Sequence, residues 1–197
     1  MDDIIVIGLH GQSHAAILSR LARARAPVRF VDARPDRLNQ VAVGYPETQT
    51  TVVADLATTA GRGHVLDGLR QWGAAGAIVY TVVLTAEDDG LDTQISWLSA
   101  SVQGLLALLR GAVAQSTPVH RTRVVLIVEC HAQIVEGANP SMTALAQGIE
   151  GFMTAFAEQY RADYGDVLRI IFDGNLSGEP ARDESAWTSL VDWMLGH

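Results

Sequence analysis

The stretch IIVIGLHGQSHAAILSRLA, residues 4–22, decides the fold of this chain. It opens with four β-branched residues, passes through the turn GLHGQSH (8–14) and continues in a helical pattern. Strand, glycine turn and helix in this order are the usual entrance to a dinucleotide site. The glycines let the backbone approach a pyrophosphate, which then rests on the helix N-terminus. Here His14 occupies the place of the third glycine, so an imidazole stands where that close approach is needed.

Five further apolar, β-branched runs follow the first: VRFV (28–31), TVVA (51–54), AIVYTVV (77–83), VVLIV (124–128) and LRIIF (168–172). Continuous apolarity is typical of parallel strands that are buried on both faces. Helical patterns separate the runs and predict helices over 13–25, 62–73, 91–115, 141–162 and 184–195. The alternation predicts an α/β fold, with one parallel sheet and helices on both faces, in a single domain over residues 1–197.

Composition restricts the function classes. The net charge of −8 disfavours nucleic acid and anionic membranes as partners, and the apolar runs are too short to span a bilayer. Cys130 is the single cysteine and cannot form an internal disulfide, which is typical of a cytoplasmic protein. All 14 basic residues counted as Lys+Arg are arginines, so the chain contains no lysine.

An acidic residue follows the glycine turn at the expected distance. Asp32 ends the second apolar run, 18 residues after His14. In dinucleotide-binding folds an acidic residue at this point accepts hydrogen bonds from the adenosine ribose. Gly8, Gly11 and Asp32 therefore suit the adenosine half of a nucleotide.

From these residues onward the sequence resembles the short-chain dehydrogenase/reductase family. The resemblance rests on the turn at 8–14, on Asp32, on Asp55 in ADL (54–56) and on GIEGFMTAFAEQY (148–160), and it covers essentially the whole chain. It implies a Rossmann-like, doubly wound sheet of about six strands. It also implies subunit contacts through the helices at 91–115 and 141–162. The cofactor positions that it implies are Gly8, Gly11, His14, Asp32 and Asp55.

The family's reaction chemistry is missing at the matching positions. The Tyr-x-x-x-Lys pair falls at Met142 and Ala146, the serine at Glu129 or Cys130, and the asparagine near Ser101. That chemistry needs a phenol beside an ammonium that lowers the phenol's pKa. Because the chain has no lysine, no shift of the alignment restores this pair, and no tyrosine is followed by an arginine four positions on.

Two other stretches depart from the family. Its Asn-Asn-Ala-Gly segment is YTVV (80–83) here, with Val83 in place of a glycine. After the last apolar run come a short loop and one helix, so the resemblance predicts a chain truncated at its C-terminal end. The long loop that covers the substrate and the final strand are then absent, and the last sheet edge is open to a partner.

Two alternative functional sites include side chains of the turn. GQSHA (11–15) is similar to a nucleophile elbow, in which Ser13 would attack with His120 or His131 as its base. His10 and His14, together with ECH (129–131) at the end of the fifth run, could hold a metal ion. Neither alternative has the complete spacing of its motif.

Two functions follow from the sequence. The favoured one is a non-catalytic structural or regulatory subunit, which pairs with itself or with an active short-chain dehydrogenase/reductase, for example of the hydroxyacyl-CoA type. The alternative is a divergent enzyme that uses the carboxyl edge of the sheet, with candidate residues His10, Ser13, His14, Glu129, Cys130 and His131. Binding of NAD or NADP is predicted to be vestigial, and neither a cofactor nor a metal ion is expected.

Overall fold

The computed structural model describes residues 3–8, 12–45, 48–73, 75–84, 91–115, 121–130, 151, 154–161, 168–173 and 184–196. The strands are β1 (Ile4–Ile7), β2 (Val28–Asp32), β3 (Thr48–Val53), β4 (Ala77–Leu84), β5 (Arg123–Cys130) and β6 (Leu168–Asp173). The helices are α1 (Gln12–Arg23), α2 (Pro35–Gly44), α3 (Thr59–Trp72), α4 (Leu91–Gln115), α5 (154–161) and α6 (Glu184–Leu195). Within these ranges no helix has both the length and the apolarity needed to cross a bilayer.

The six strands form one parallel sheet in the order β3-β2-β1-β4-β5-β6. This confirms the predicted Rossmann-like, doubly wound architecture. The chain builds outward from β1 to β3 and then returns to place β4 on the other side of β1. Because the connections diverge at this point, a crevice opens at the carboxyl ends of β1 and β4, where such folds bind ligands.

Two apolar cores cover the faces of the sheet. Helices α1, α2 and α6 pack on one face, through residues such as Ile17, Leu38 and Trp187. Helices α3, α4 and α5 pack on the other face, through residues such as Leu69 and Leu109. The alternating residues of β1 contribute to both cores, as strands of a doubly wound sheet do.

The predicted elements agree with the structure except at a few points. Helix α2 was not predicted, although Pro35 in its first turn and the adjacent Asp36 are ordinary helix-start signals. Helix α3 begins at Thr59 rather than at 62, because the Thr58 side chain caps it by accepting a hydrogen bond from the Gly61 N–H at 3.0 Å. Of the helix predicted over 141–162, residues 151 and 154–161 are helical, and residues 141–150 lie outside the described ranges.

The start of α3 packs directly against the end of β3. A Cβ atom placed on Gly61 would lie 1.9 Å from the backbone oxygen of Asp55. A methyl group cannot be accommodated against a backbone atom at this distance, so position 61 requires glycine. A Cβ atom placed on Gly63, two residues further along the same helix, would have no heavy atom within 4 Å, so this position tolerates a side chain.

We expect Gly61→Ala to lower the free energy of unfolding by about 3 kcal/mol, because α3 must shift away from the Asp55 loop. The matched change Gly63→Ala should raise it by about 0.5–1 kcal/mol, because alanine has the higher helix propensity and its methyl group meets no neighbouring atom here. Urea denaturation of both variants measures the two effects. Equal stability of the two variants would contradict the close approach of Gly61 to Asp55.

Candidate functional site

A cavity of about 210 Å³ lies in the crevice at the carboxyl ends of β1 and β4. The segments that follow β1, β2 and β3 form its walls, and β4 and α4 close its inner side. Its lining includes four of the positions singled out from the sequence: Gly8, Asp32, Asp55 and Ser101. The carboxyl ends of parallel strands lie along the same edge of the sheet, so residues that are far apart in the sequence come together here.

The turn after β1 depends on a glycine. Gly8 has φ +82°, a left-handed conformation that other residues adopt only with strain, and its N–H donates to the Val31 carbonyl at 3.0 Å. His14 lies in the first turn of α1 and is half-buried. His10 and Gly11 lie outside the described ranges. Gly8 therefore begins the turn in a left-handed conformation, and His14 occupies the position of the third glycine.

Asp32 is a fixed acceptor at the end of β2. Its side chain is 3% exposed, and its Oδ1 accepts a hydrogen bond from the Arg34 backbone N–H at 2.7 Å. Its Oδ2 lies 3.9 Å from Nη1 of Arg37. The backbone and the nearby guanidinium together orient this buried carboxylate at the cavity wall. A ribose hydroxyl would meet such an acceptor in a nucleotide site.

Two arginines balance the acidic groups at this end of the cavity. Arg34 and Arg37 both line it. Arg34 forms a fork-like ion pair with the exposed Asp36, with Nη2 donating to Oδ2 at 2.6 Å and Nε to Oδ1 at 3.2 Å. The hydrogen bond from Arg34 lowers the pKa of Asp36. Among the described lining residues, Arg34 and Arg37 thus balance the charges of Asp32 and Asp55.

The loop after β3 is held in place by its own hydrogen bonds. Asp55 Oδ1 accepts from the Ala57 N–H at 2.9 Å, and its backbone oxygen accepts from the Thr58 hydroxyl at 2.9 Å. The Nη1 atom of Arg62 donates to the carbonyls of Leu56 at 3.0 Å and Ala57 at 2.9 Å. This wall is preorganised without a ligand, so binding against it costs little loop ordering.

Tyr80 of β4 forms the inner wall and was not predicted as a site residue. It is 7% exposed, and its hydroxyl is hydrogen-bonded to the buried Ser101 of α4. Burial raises the pKa of Tyr80 to about 12, and the hydrogen bond with Ser101 opposes that rise. The closest sequence signal was its place in YTVV (80–83), the segment that matches the family's Asn-Asn-Ala-Gly stretch. Ser101, which the resemblance set near the family's asparagine, is thus engaged by Tyr80.

Two further predicted positions, Glu129 and Cys130, lie at the carboxyl end of β5. Glu129 is 5% exposed and is in register with Val83 of β4 and Asp173 of β6. It is not part of the cavity lining. Cys130 ends β5, and Ser13 lies in the first turn of α1. The predicted positions Met142, Ala146 and His131 fall outside the described ranges, as does His120.

The described lining of the cavity offers hydrogen-bond acceptors and guanidinium groups. A phenol whose pKa lies near 12 is a poor general acid or base at neutral pH, because efficient groups titrate near the working pH. Among the described residues, no three His, Cys, Asp or Glu side chains are grouped as a metal site requires.

The sequence matches no protein-family model and no curated protein. Solved structures match the fold closely. A metagenomic short-chain oxidoreductase in complex with NADP has a TM-score of 0.71 at 18% identity, over 100% of this chain and 90% of that one. A short-chain dehydrogenase of Burkholderia cenocepacia in complex with NADP has a TM-score of 0.68 at 18% identity, with coverage of 98% and 90%. A short-chain dehydrogenase/reductase of Serratia marcescens, solved as a double mutant, has a TM-score of 0.65 at 20% identity, over 87% of this chain and 72% of that one. The chain therefore has the short-chain dehydrogenase/reductase fold.

The buried phenol of Tyr80 should make stability depend on pH in the alkaline range. Its pKa is raised from 10.0 to about 12 in the folded protein, so the unfolded chain loses this proton first. The contribution of the neutral phenol is complete below pH 10.0 and is lost as the pH rises towards about 12. Relative to Tyr80→Phe, the free energy of unfolding of the unmodified protein should fall by about 1.4 kcal/mol per pH unit in this window. Urea denaturation of both proteins at several pH values measures the difference, and parallel pH profiles would contradict a buried, neutral Tyr80.

Proposed function

We propose that this chain is a non-catalytic protein of the short-chain dehydrogenase/reductase fold that acts as a structural or regulatory subunit. It pairs through α4 and the helix predicted over 141–162, either with a second copy or with an active short-chain dehydrogenase/reductase. The absence of lysine from all 197 residues carries this proposal. Hydride transfer of the family's kind depends on a phenol and an ammonium, and this chain cannot supply the ammonium.

The chemistry of the cavity supports the same proposal. Tyr80 is the phenol that lines it, and burial holds the pKa of that phenol far above neutrality. Ser101, the nearest position to the family's asparagine, is engaged by Tyr80 across the β4–α4 contact. Arginine does not replace lysine at such a site, because its planar guanidinium is larger and differently shaped. Activity would therefore come only from a complex in which a partner provides the reacting groups.

The surface of α4 supports a role in pairing. The helix is 25 residues long, and one of its faces is buried through Leu105, Leu108 and Leu109. Near its start, Ile95 is 48% exposed beside the small exposed residues Ser96 and Ser99. An exposed isoleucine on this helix is an apolar group that a partner helix can cover. A cytoplasmic partner of the hydroxyacyl-CoA dehydrogenase type is one active chain that fits the proposal.

Native mass spectrometry of the protein purified from its own cells tests the subunit role. We expect a stable oligomer, and a heteromer with a chain that contains a complete Tyr-x-x-x-Lys pair would support pairing with an active enzyme. A monomer that carries the extra mass of a nucleotide, metal ion or other ligand would overturn the proposal. Such a result would favour an independent enzyme.

The alternative of a divergent enzyme is favoured by one observation. Glu129 is a carboxylate that is buried to 5% exposure at the carboxyl edge of β5, the edge where reactions take place in doubly wound folds. Buried charged groups are costly and are often retained for function. In that case Glu129→Gln would abolish a turnover that the purified chain shows on its own.

The interface on α4 gives a matched pair of variants. We expect Ile95→Glu to weaken the oligomer by about tenfold or more, because a carboxylate buried in an interface is costly to desolvate. Val43→Glu, on α2 at 89% exposure and away from α4, serves as the control and should leave the oligomer unchanged. Analytical ultracentrifugation over a dilution series measures both. Equal behaviour of the two variants would exclude the exposed face of α4 from the interface.

Dinucleotide binding should be weak despite the preformed adenosine-side wall. His14 stands at the third glycine position, which normally allows close packing of helix and strand beside the pyrophosphate. We expect titrations with NAD(H) and NADP(H) by isothermal calorimetry to show no micromolar binding. A micromolar dissociation constant for any of the four would show that the site is functional and not vestigial.

A further inference from the structure

Strand β3 is the outermost strand of the sheet, at the edge opposite to β6. It pairs with β2 on one side, and no other described strand pairs with its opposite side. Thr51 is exposed to solvent, and Val53 is 51% exposed. Within the described ranges, β3 is therefore a strand with one unpaired side and with an apolar side chain in contact with water.

The backbone of β3 directs a defined set of groups to its unpaired side. The N–H of Ala54, directly after the strand, donates inward to the Asp32 carbonyl at 3.0 Å. Because alternate residues of a parallel strand bond to the same neighbour, Val52 also directs its N–H and C=O towards β2. Thr51 and Val53 then direct theirs outward. These two residues can pair with a further strand without disturbing the hydrogen bonds between β3 and β2.

The sequence of β3 lacks the residues that normally protect an open edge. Natural edge strands carry charged residues or proline, which keep another chain from pairing with them. Strand β6, at the other edge, contains Arg169 and Asp173, whereas β3 (TQTTVV) contains neither a charged residue nor proline. The last four residues of β3 are β-branched, and such side chains favour a strand that packs against neighbouring strands. The composition of β3 therefore suits pairing on its open side.

We propose that β3 pairs edge to edge with β3 of a second copy of this chain, so that the two sheets join into one. The two strands are antiparallel and are related by a two-fold axis that passes beside Val52. Val52 then lies opposite Val52 of the second copy, and Thr51 lies opposite Val53. Each Thr51–Val53 pair exchanges backbone hydrogen bonds through its outward N–H and C=O groups.

Charge favours a second copy as the occupant of this edge. With a net charge of −8, two copies repel each other wherever acidic groups would face one another. The residues opposed in the proposed pairing lie within 50–54 and are all uncharged, so no like charges meet across the strands. The segment also matches itself in this register, as a two-fold interface requires. Helix α4 packs on β4 and β5, so the proposal does not depend on the subunit role of α4.

Amide hydrogen exchange measured by NMR tests which groups of β3 are paired. We expect exchange of the Thr51 and Val53 amides to slow as the protein concentration is raised, because the dimer protects them. The Val52 and Ala54 amides point inward and serve as the internal control, since their exchange should not depend on concentration. Exchange at Thr51 and Val53 that is independent of concentration would contradict the pairing.

A disulfide tests the register. In the proposed pairing, Val52 and Val52 of the second copy form a non-hydrogen-bonded pair with Cα atoms about 4.5 Å apart, a distance that a disulfide can span. We expect Val52→Cys to give a covalent dimer under mild oxidation, measured by electrophoresis without reductant. Gln71→Cys, at an exposed position of α3, is the matched control and should stay monomeric. Both proteins carry Cys130→Ser, which removes the single native thiol.

A charge placed on the open edge tests the interface in solution. Thr51→Lys should weaken the dimer by about tenfold or more, because the two-fold axis brings the two lysines to diagonal positions across the strand pair. Gln71→Lys adds the same charge on α3 and should leave the dimer unchanged. Analytical ultracentrifugation measures both in the Ile95→Glu background, so that pairing through α4 does not contribute. In this background we expect a dimer that Thr51→Lys dissociates.

Three results would exclude pairing through β3. The first is an Ile95→Glu protein that stays monomeric at every concentration tested. The second is a dimer that Thr51→Lys and Gln71→Lys weaken equally, or that neither weakens. The third is protection of the Thr51 and Val53 amides only after a different protein is added, which would assign the edge to that partner.

Discussion

The confinement of β1 is the constraint on which the rest of the structure depends. This strand has a neighbour on each side, β2 and β4, and a helical layer on each face, and its four residues are at most 2% exposed. Because β1 is enclosed on both sides and both faces, the chain changes direction only at the carboxyl end of the strand. Gly8 adopts a left-handed conformation there. Because β2 and β4 lie on opposite sides of β1, the following connections diverge. The crevice, and with it the positions of Asp32, Asp55 and Tyr80, results from that divergence.

Much of the architecture could be predicted because buried parallel strands have sequences that are continuously apolar. All six runs became strands of one sheet, and the helices at 91–115 and 184–195 were placed correctly. Helix α2 escaped prediction because only Leu38 among its ten residues is buried, so its sequence has no apolar stripe. The start of α3 was set too late, since the capping hydrogen bond of Thr58 is a local signal that apolar periodicity does not register.

Residues of the candidate site could be predicted from the sequence only where they lie at the ends of strands. Asp32 ends β2 and Asp55 lies two residues after β3, and the structure brings both to one cavity; their role in binding remains a prediction. The pairing of Tyr80 with Ser101 joins β4 to α4 across a tertiary contact that sequence spacing does not reveal. The same holds for Arg62, which reaches back from α3 to two carbonyls of the loop after β3. Such contacts depend on how elements pack and not on their order in the chain.

The position of β1 also has a consequence for how the protein acquires its structure. Ile4 pairs with Ala77, and three helices and two strands are synthesised between these two residues. A ribosome therefore releases the most apolar strand of the sheet long before the partner that covers its second side exists. Closing such a long loop carries an entropic cost before the pairing repays it, which makes sheets of this kind slow to form. During synthesis β1 therefore lacks its second neighbour until β4 has been made, and exposed apolar strands of this kind are prone to aggregate.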